Sequence, residues 1–155
     1  MGFAMARQKT AFTLVEIILA VLFLGIMAII AIPRLSHSAS SKQKADCLAK
    51  KIVTDLRRTR GLAISNAAVN TVGFKLSMTG SPYTGYSIVD ANSSETVDSH
   101  TIDSAVSCTG GDEFEFGPLG NLLSGSDTQL VISADEKTFT IDITSATGMV
   151  KCTEN

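Results

Sequence analysis

The most constraining feature of the chain is an apolar run of 21 residues, from Phe12 to Ile32, in which Glu16 is the single charged residue. As a helix this run would be about 31 Å long, which matches the hydrocarbon core of a bilayer. An acidic side chain costs about 2.5–3.5 kcal/mol near the centre of such a segment and less near its end, so Glu16 requires a partner of opposite charge. The run therefore predicts a transmembrane helix over residues 12–32.

Two other membrane-targeting segments are the alternatives. An ordinary secretory signal peptide would use Arg7 and Lys9 as its basic region and residues 38–40 as its cleavage site. Its apolar region is usually 7–15 residues long, whereas this run is longer and contains a carboxylate. The helical pattern also continues past the cleavage site. A generic membrane anchor is the second alternative.

Residues 33–66 carry a different helical pattern. Small and apolar residues recur at spacings of three and four, which predicts an amphipathic helix. The basic residues of this segment lie mostly off the apolar stripe, as a solvated face or as contacts to anionic lipid headgroups or a neighbouring subunit. With the apolar run, the segment predicts a helix of about 50 residues that is broken or bent near Pro33. The stripe consists of Ala45, Leu48, Ala49, Ile52, Leu56, Thr59 and Ala63.

After Asn70 the apolar residues alternate with polar ones, which is typical of half-buried strands. Strands are predicted over residues 72–78 and 137–144, and weaker patterns cover residues 83–89, 95–102, 113–116 and 128–133. A long helix followed by short strands predicts an α+β fold, in which residues 70–155 form an antiparallel β-sheet domain packed on the apolar stripe of the helix.

The first 35 residues resemble the N-terminal signal of type IV prepilins and type II secretion pseudopilins. Members of that family have a short basic leader that ends in a small residue, usually Gly, followed by Phe, with Glu as the fifth mature residue. Ala11, Phe12 and Glu16 occupy these positions here, and Pro33 lies where many pilin helices bend. The resemblance implies a leader of residues 1–11, cleavage between Ala11 and Phe12 by the prepilin peptidase, and N-methylation of Phe12. It also implies that Glu16 pairs with the Phe12 amine of an adjacent subunit.

The remainder of the chain is most similar to the H-type minor pseudopilins, a family that includes the FimT and FimU minor pilins. The similar segments are residues 56–64, 114–120 and 141–148. This resemblance implies a pilin-like fold and a structural role in a type II secretion pseudopilus or type IV pilus. The implied partners are other pilin or pseudopilin subunits, the inner-membrane assembly platform and membrane lipid. The implied location is the bacterial inner membrane, as a single-pass protein with a cytoplasmic leader and a periplasmic domain.

The chain has three cysteines, an odd number, so at least one thiol is free or pairs outside the chain. Cys108 and Cys152 both lie in the predicted sheet domain and are the candidates for a disulfide, which would leave Cys47 on the helix. Three reduced thiols are the alternative. No spacing typical of a metal site occurs, and no metal, cofactor or catalytic residue is predicted.

Two other functions deserve comparison with the structural role. Residues 110–114 spell Gly-Gly-Asp-Glu-Phe, the signature of diguanylate cyclases, but the rest of such an enzyme has no room in this chain. The glycines are instead interpreted as a turn into a strand that contains Phe114 and Phe116. A DNA-binding minor pilin would require clustered basic residues, yet only Lys75, Lys137 and Lys151 follow Asn70. Nucleic acid is therefore not an expected partner.

Overall fold

The computed structural model describes residues 13–155, apart from the side chains of residues 29–39. In this part of the chain one helix precedes eight strands, and the fold is α+β. The helix, α1, covers Leu14–Ser65. The strands are β1 (Phe74–Thr79), β2 (Gly85–Asp90), β3 (Thr96–Thr101), β4 (Ser107–Gly110), β5 (Glu113–Phe116), β6 (Gln129–Ala134), β7 (Lys137–Thr144) and β8 (Met149–Glu154).

Residue contacts divide the chain into two compact units, Met1–His37 and Ser38–Asn155, with the boundary inside α1. The described part of the first unit is the N-terminal part of α1. The second unit contains the rest of α1 and all eight strands. We refer to it as the globular unit.

The predicted transmembrane half of the helix is wrong. No helix in the described residues is long and apolar enough to cross a membrane. Of the predicted break or bend near Pro33, the break is not found, because α1 continues through this residue to Ser65.

Two four-stranded antiparallel sheets replace the single predicted sheet. The first sheet has the strand order β3-β2-β1-β5 and the second has the order β4-β6-β7-β8. The chain leaves the first sheet after β3, forms β4, and returns to the first sheet for β5. It then completes the second sheet with three consecutive antiparallel strands.

Alternation along the strands places their apolar residues in one core. Phe139 pairs with Ile132, and Ile141 pairs with Leu130, so that two neighbouring strands present the same buried face. The stripe of α1 contributes to the same hydrophobic cluster, which confirms its predicted role: Leu48 is partly buried, and the other members are fully buried. Burial of such a face, rather than helix propensity, supplies most of a helix's stability.

The strand predictions are confirmed where the alternation is clear and fail where it is absent. Residues 113–116 and 137–144 match β5 and β7, and the other predicted strands correspond to β1, β2, β3 and β6 within a few residues. β4 and β8 were not predicted. β4 has only four residues, and all of β8 except Val150 is exposed, so neither produces a pattern of period two.

Candidate functional site

The first turn of α1 determines the local structure around Glu16, the predicted assembly residue. The N–H group of Glu16 donates to the carbonyl oxygen of Thr13 at 3.0 Å and to its Oγ1 atom at 3.3 Å. Thr13 is therefore the N-cap of the helix. A carboxylate three residues after the cap lies at the positive end of the helix dipole, where negative charge is favoured by about 0.3–1 kcal/mol. No residue in the described part of the chain forms an ion pair with Glu16.

The residues that follow form an uncovered apolar surface, which we name the N-terminal apolar surface (residues 14–27). Eleven large apolar side chains are exposed on it, from 48% for Leu19 to 76% for Leu14. They include consecutive residues such as Leu22, Phe23 and Leu24, so they lie on all sides of the helix. A helix that is apolar on all sides is normally covered by protein or lipid. Singly scattered apolar residues would need no such cover.

The other residues predicted for processing and assembly have no described surroundings. Ala11 and Phe12, on either side of the predicted cleavage, lie outside the described residues. Pro33 lies within α1, among the residues whose side chains are not described. The described surface thus brings the single carboxylate, Glu16, together with an apolar helix whose large side chains are exposed.

The predicted Cys108–Cys152 disulfide is wrong for this fold. All three cysteines are free thiols. Cys108 belongs to β4 and Cys152 to β8, the two edge strands of the second sheet. Three strand spacings of about 4.8 Å separate these edges, whereas a disulfide needs Cα atoms within about 7 Å. Cys108 is packed in the core, and burial raises the pKa of its thiol to about 11.

The Gly-Gly-Asp-Glu-Phe sequence forms one of the links between the two sheets, from β4 to β5, and its interpretation as a turn into a strand is confirmed. Gly110 ends β4 with a φ of 105°, and a Cβ atom at Gly111 would overlap the Asp127 side chain. Asp127 accepts hydrogen bonds from the N–H groups of Asp112 at 2.7 Å and Glu113 at 3.2 Å. These bonds lower the pKa of the Asp127 carboxyl group.

The strand after this turn anchors it. Phe114 and Phe116 are fully buried, and Glu113 forms an ion pair with Lys75 at 3.1 Å. The carbonyl oxygen of Asp112 accepts a hydrogen bond from Met78 at 2.7 Å. The five residues of the motif therefore have roles in the fold itself.

A polar cluster that the sequence did not reveal joins α1 to the first sheet. Its centre is Asp55, which is only 2% exposed. One oxygen of this carboxylate accepts the hydroxyl of Tyr86 at 2.7 Å and lies 3.1 Å from the Lys51 ammonium. Asp55 interrupts the apolar stripe beside Leu56, and this interruption is the signal by which the sequence could have indicated a buried carboxylate.

His100 completes the cluster from β3. Its Nε2 atom lies 3.1 Å from the Lys51 ammonium and 3.5 Å from the Asp98 carboxylate. The same atom lies 3.6 Å from the Asp55 carboxylate. Asp98 in turn accepts from Arg58 at 2.6 Å, which lowers the pKa of Asp98. Burial, followed by the bond to Asp55, raises the pKa of the Tyr86 phenol.

This cluster is structural, because its contacts hold α1 against the first sheet. Every buried side-chain nitrogen and oxygen atom of the described residues has a hydrogen-bond partner, so the buried groups of the cluster are paired within the fold. No group of three or more His, Cys, Asp or Glu side chains in the described part of the chain could hold a metal ion.

Comparisons of the chain with known protein families, with curated proteins and with solved structures give no match.

Proposed function

We propose that the chain is a structural subunit of a filament, a minor pilin or pseudopilin of a type II secretion pseudopilus or type IV pilus. The observation that carries the proposal is the N-terminal apolar surface, with eleven exposed large apolar side chains and one carboxylate. In a filament, the same surfaces of other subunits would cover it. Such a role requires packing and register, and it requires no catalytic residue.

Glu16 supplies the register in this proposal. Contacts between apolar helices are non-directional, whereas a carboxylate and an amine attract each other at one relative position of two helices. At about 4 Å and an effective dielectric near 20, their attraction is about 4 kcal/mol, and desolvation offsets part of it. The amine would be that of Phe12 in an adjacent subunit, created when the prepilin peptidase cleaves after Ala11 and then methylates the new terminus.

The proposed location follows from the same partners. The globular unit would lie on the periplasmic side of the bacterial inner membrane, beside the inner-membrane assembly platform, and on the filament after assembly. The proposal requires that protein or lipid covers the apolar surface, and it does not require α1 to cross the bilayer.

Processing is tested by intact-mass spectrometry of the protein extracted from its native host. We expect a mature chain that begins with N-methylated Phe12. A mature chain that begins near Ser41, or one that retains residues 1–11, would contradict the proposed processing.

Assembly is tested with Glu16→Gln, which removes the charge but keeps the size of the side chain. Loss of the dipole interaction costs the helix less than about 1 kcal/mol, so the variant should be processed normally. Co-purification with other filament subunits should fall at least about tenfold, which corresponds to 1.4 kcal/mol.

The matched control is Glu16→Ala combined with Ile17→Glu, which moves the carboxylate to a neighbouring face of the same turn. This double variant should assemble as poorly as Glu16→Gln. Normal assembly of either variant would refute the role of Glu16 in register.

A further inference from the structure

A basic cleft lies on the globular unit, where the last turns of α1 meet the turn between β7 and β8. Its volume is about 540 Å³. Two arginines from the same face of the helix form one wall, and the β-turn forms the other. The cleft is lined by Arg57, Arg60, Thr147, Gly148, Met149 and Val150.

The two arginines are held in place but carry uncompensated charge. Arg57 donates from Nη2 to the carbonyl oxygen of Val150 at 3.2 Å, and Arg60 donates from Nε to that of Gly120 at 2.9 Å. No carboxylate in the described part of the chain lies within 4.0 Å of either guanidinium. Their neighbour Arg58, by contrast, is paired with Asp98 at 2.6 Å. A guanidinium has five N–H donors, so each of the two retains donors for a ligand.

The β-turn is shaped to receive the Arg60 side chain. Gly148 has a φ of 63°, and a Cβ atom there would overlap the carbonyl oxygen of Gly120, the Arg60 acceptor, and come within 3.1 Å of the Arg60 Cδ and Nε atoms. The N–H group of Gly148 donates to the carbonyl oxygen of Thr144 at 2.7 Å, which closes the turn. Both walls are therefore ordered before any ligand binds, which reduces the entropy that binding must overcome.

Exposed apolar side chains line the cleft or lie beside Gly120. Met149 is 60% exposed and Leu119, which precedes the Arg60 acceptor Gly120, is 89% exposed. The Ile64 side chain also approaches Gly120. Arginine and methionine, which both line the cleft, are enriched in protein interfaces.

We propose that this cleft binds a carboxylate-bearing segment of another protein chain, with Arg57 and Arg60 holding an Asp or Glu side chain. Planar guanidinium groups match carboxylates in geometry, and the apolar rim matches aliphatic neighbours in the bound segment. Nucleic acid fits less well, because residues 38–155 carry more acidic than basic side chains and a polyanion would be repelled at long range. The inference stands on the cleft alone and does not depend on filament assembly.

The test uses the ¹⁵N-labelled full chain in detergent micelles and a short blocked peptide of alternating leucine and glutamate. Its counterpart with glutamine is the control ligand. In an NMR titration, the glutamate peptide should produce saturable shifts at the amide groups of Gly148 and Met149 and at the Nε–H groups of both cleft arginines. The glutamine peptide should not.

Arginine variants test whether the glutamate peptide binds in the cleft. Arg57→Gln combined with Arg60→Gln should weaken the glutamate peptide at least about tenfold, as expected for lost charge-assisted hydrogen bonds. Arg60→Lys keeps the charge and the aliphatic stem but loses the planar fork, and it should also weaken binding. Arg58→Gln, one position away and already paired in the structure, should leave binding within about twofold.

Several outcomes would overturn the proposal. They are the absence of saturable binding at millimolar peptide, equal binding of the glutamine peptide, and an equal loss in Arg58→Gln. Tighter binding of a thymidine oligonucleotide at the same resonances would assign the cleft to nucleic acid instead.

Discussion

The two parts of α1 use the same backbone hydrogen bonding but opposite arrangements of side chains. In the N-terminal part, apolar residues such as Leu22 and Phe23 are exposed on every side. In the globular unit, Ile52 and Leu56 are fully buried on one face, while charged residues occupy much of the other. A helix with one apolar face is completed by its own chain, whereas a helix apolar on all faces requires cover from outside it.

Charged residues differ between the two parts in the same way. In the globular unit, Lys44 pairs with Asp103 at 2.8 Å and Lys50 with Asp46 at 2.7 Å. Glu16 is the single charged side chain of the N-terminal apolar surface, and no described residue pairs with it. Glu16 thus differs from these paired residues in having no charged partner among the described residues.

The largest expected difference between the two parts comes from deleting one leucine side chain in each. Leu56→Ala should lower the free energy of unfolding of the globular unit by about 2–5 kcal/mol, because it removes buried contacts and leaves a cavity. Leu22→Ala, the matched control, removes an exposed side chain and should change this free energy by less than about 0.5 kcal/mol. Chemical denaturation followed by far-UV circular dichroism measures both.

Equal destabilisation by the two leucine variants would contradict the difference between the two parts of α1. It would mean that the N-terminal apolar surface is covered within the chain. We expect Leu22→Ala instead to reduce self-association of the full chain. Analytical ultracentrifugation in a mild detergent measures this effect.

A second variant tests how much the hydrogen bond from Tyr86 stabilises the Asp55 carboxylate on the packed face of α1. Tyr86→Phe removes the hydroxyl that donates to Asp55 at 2.7 Å and leaves this buried carboxylate with one donor fewer. We expect a loss of about 1–3 kcal/mol in unfolding free energy. Thermal unfolding compared with wild type measures it.

The second tyrosine of the chain is the matched control. Tyr83 donates to the carbonyl oxygen of Gly110 at 3.1 Å in an exposed position, where water can replace the lost bond. Tyr83→Phe should therefore cost less than about 1 kcal/mol. If Tyr86→Phe and Tyr83→Phe lower the free energy of unfolding equally, the Asp55 cluster does not hold α1 against the first sheet.

Sequence patterns predicted the parts of the fold in which periodicity reflects burial. The stripe that includes Ile52 and Leu56 and the alternation of β7 are both found as predicted. The two sheets were not predicted, because the chain changes sheet in the links after β3, β4 and β5, and these changes leave no trace in periodicity. The Cys108–Cys152 pairing failed for the same reason, since strand order decides which residues are neighbours.

The candidate sites could likewise be predicted only where their residues are contiguous in sequence. Glu16 is conspicuous in sequence because its apolar surroundings are contiguous along the chain. The contacts of Asp55 with Tyr86 and His100, and those of Arg60 with Gly120, join residues that are far apart in sequence. Only the tertiary structure determines that Arg58 is paired while Arg57 and Arg60 are not.

The smallest expected effect concerns the pH response of a carboxylate that serves the fold. The N–H groups of Asp112 and Glu113 depress the pKa of Asp127 below its ordinary value of 3.8. A depressed pKa in the folded state contributes stability that is present above pH 3.8 and is lost as the pH falls through the folded value. Asp127→Asn should therefore cost about 0.5–1.5 kcal/mol at neutral pH.

That cost should shrink as the pH falls below the ordinary aspartate value, because wild type then loses the same contribution. Denaturant unfolding between neutral pH and the acid range, compared for the two proteins, measures the convergence. Glu16→Gln is the control from the N-terminal part of α1 and should leave the acid dependence of the globular unit unchanged. A constant difference between wild type and Asp127→Asn across the range would show that the turn between the sheets depends on the shape of Asp127 rather than its charge.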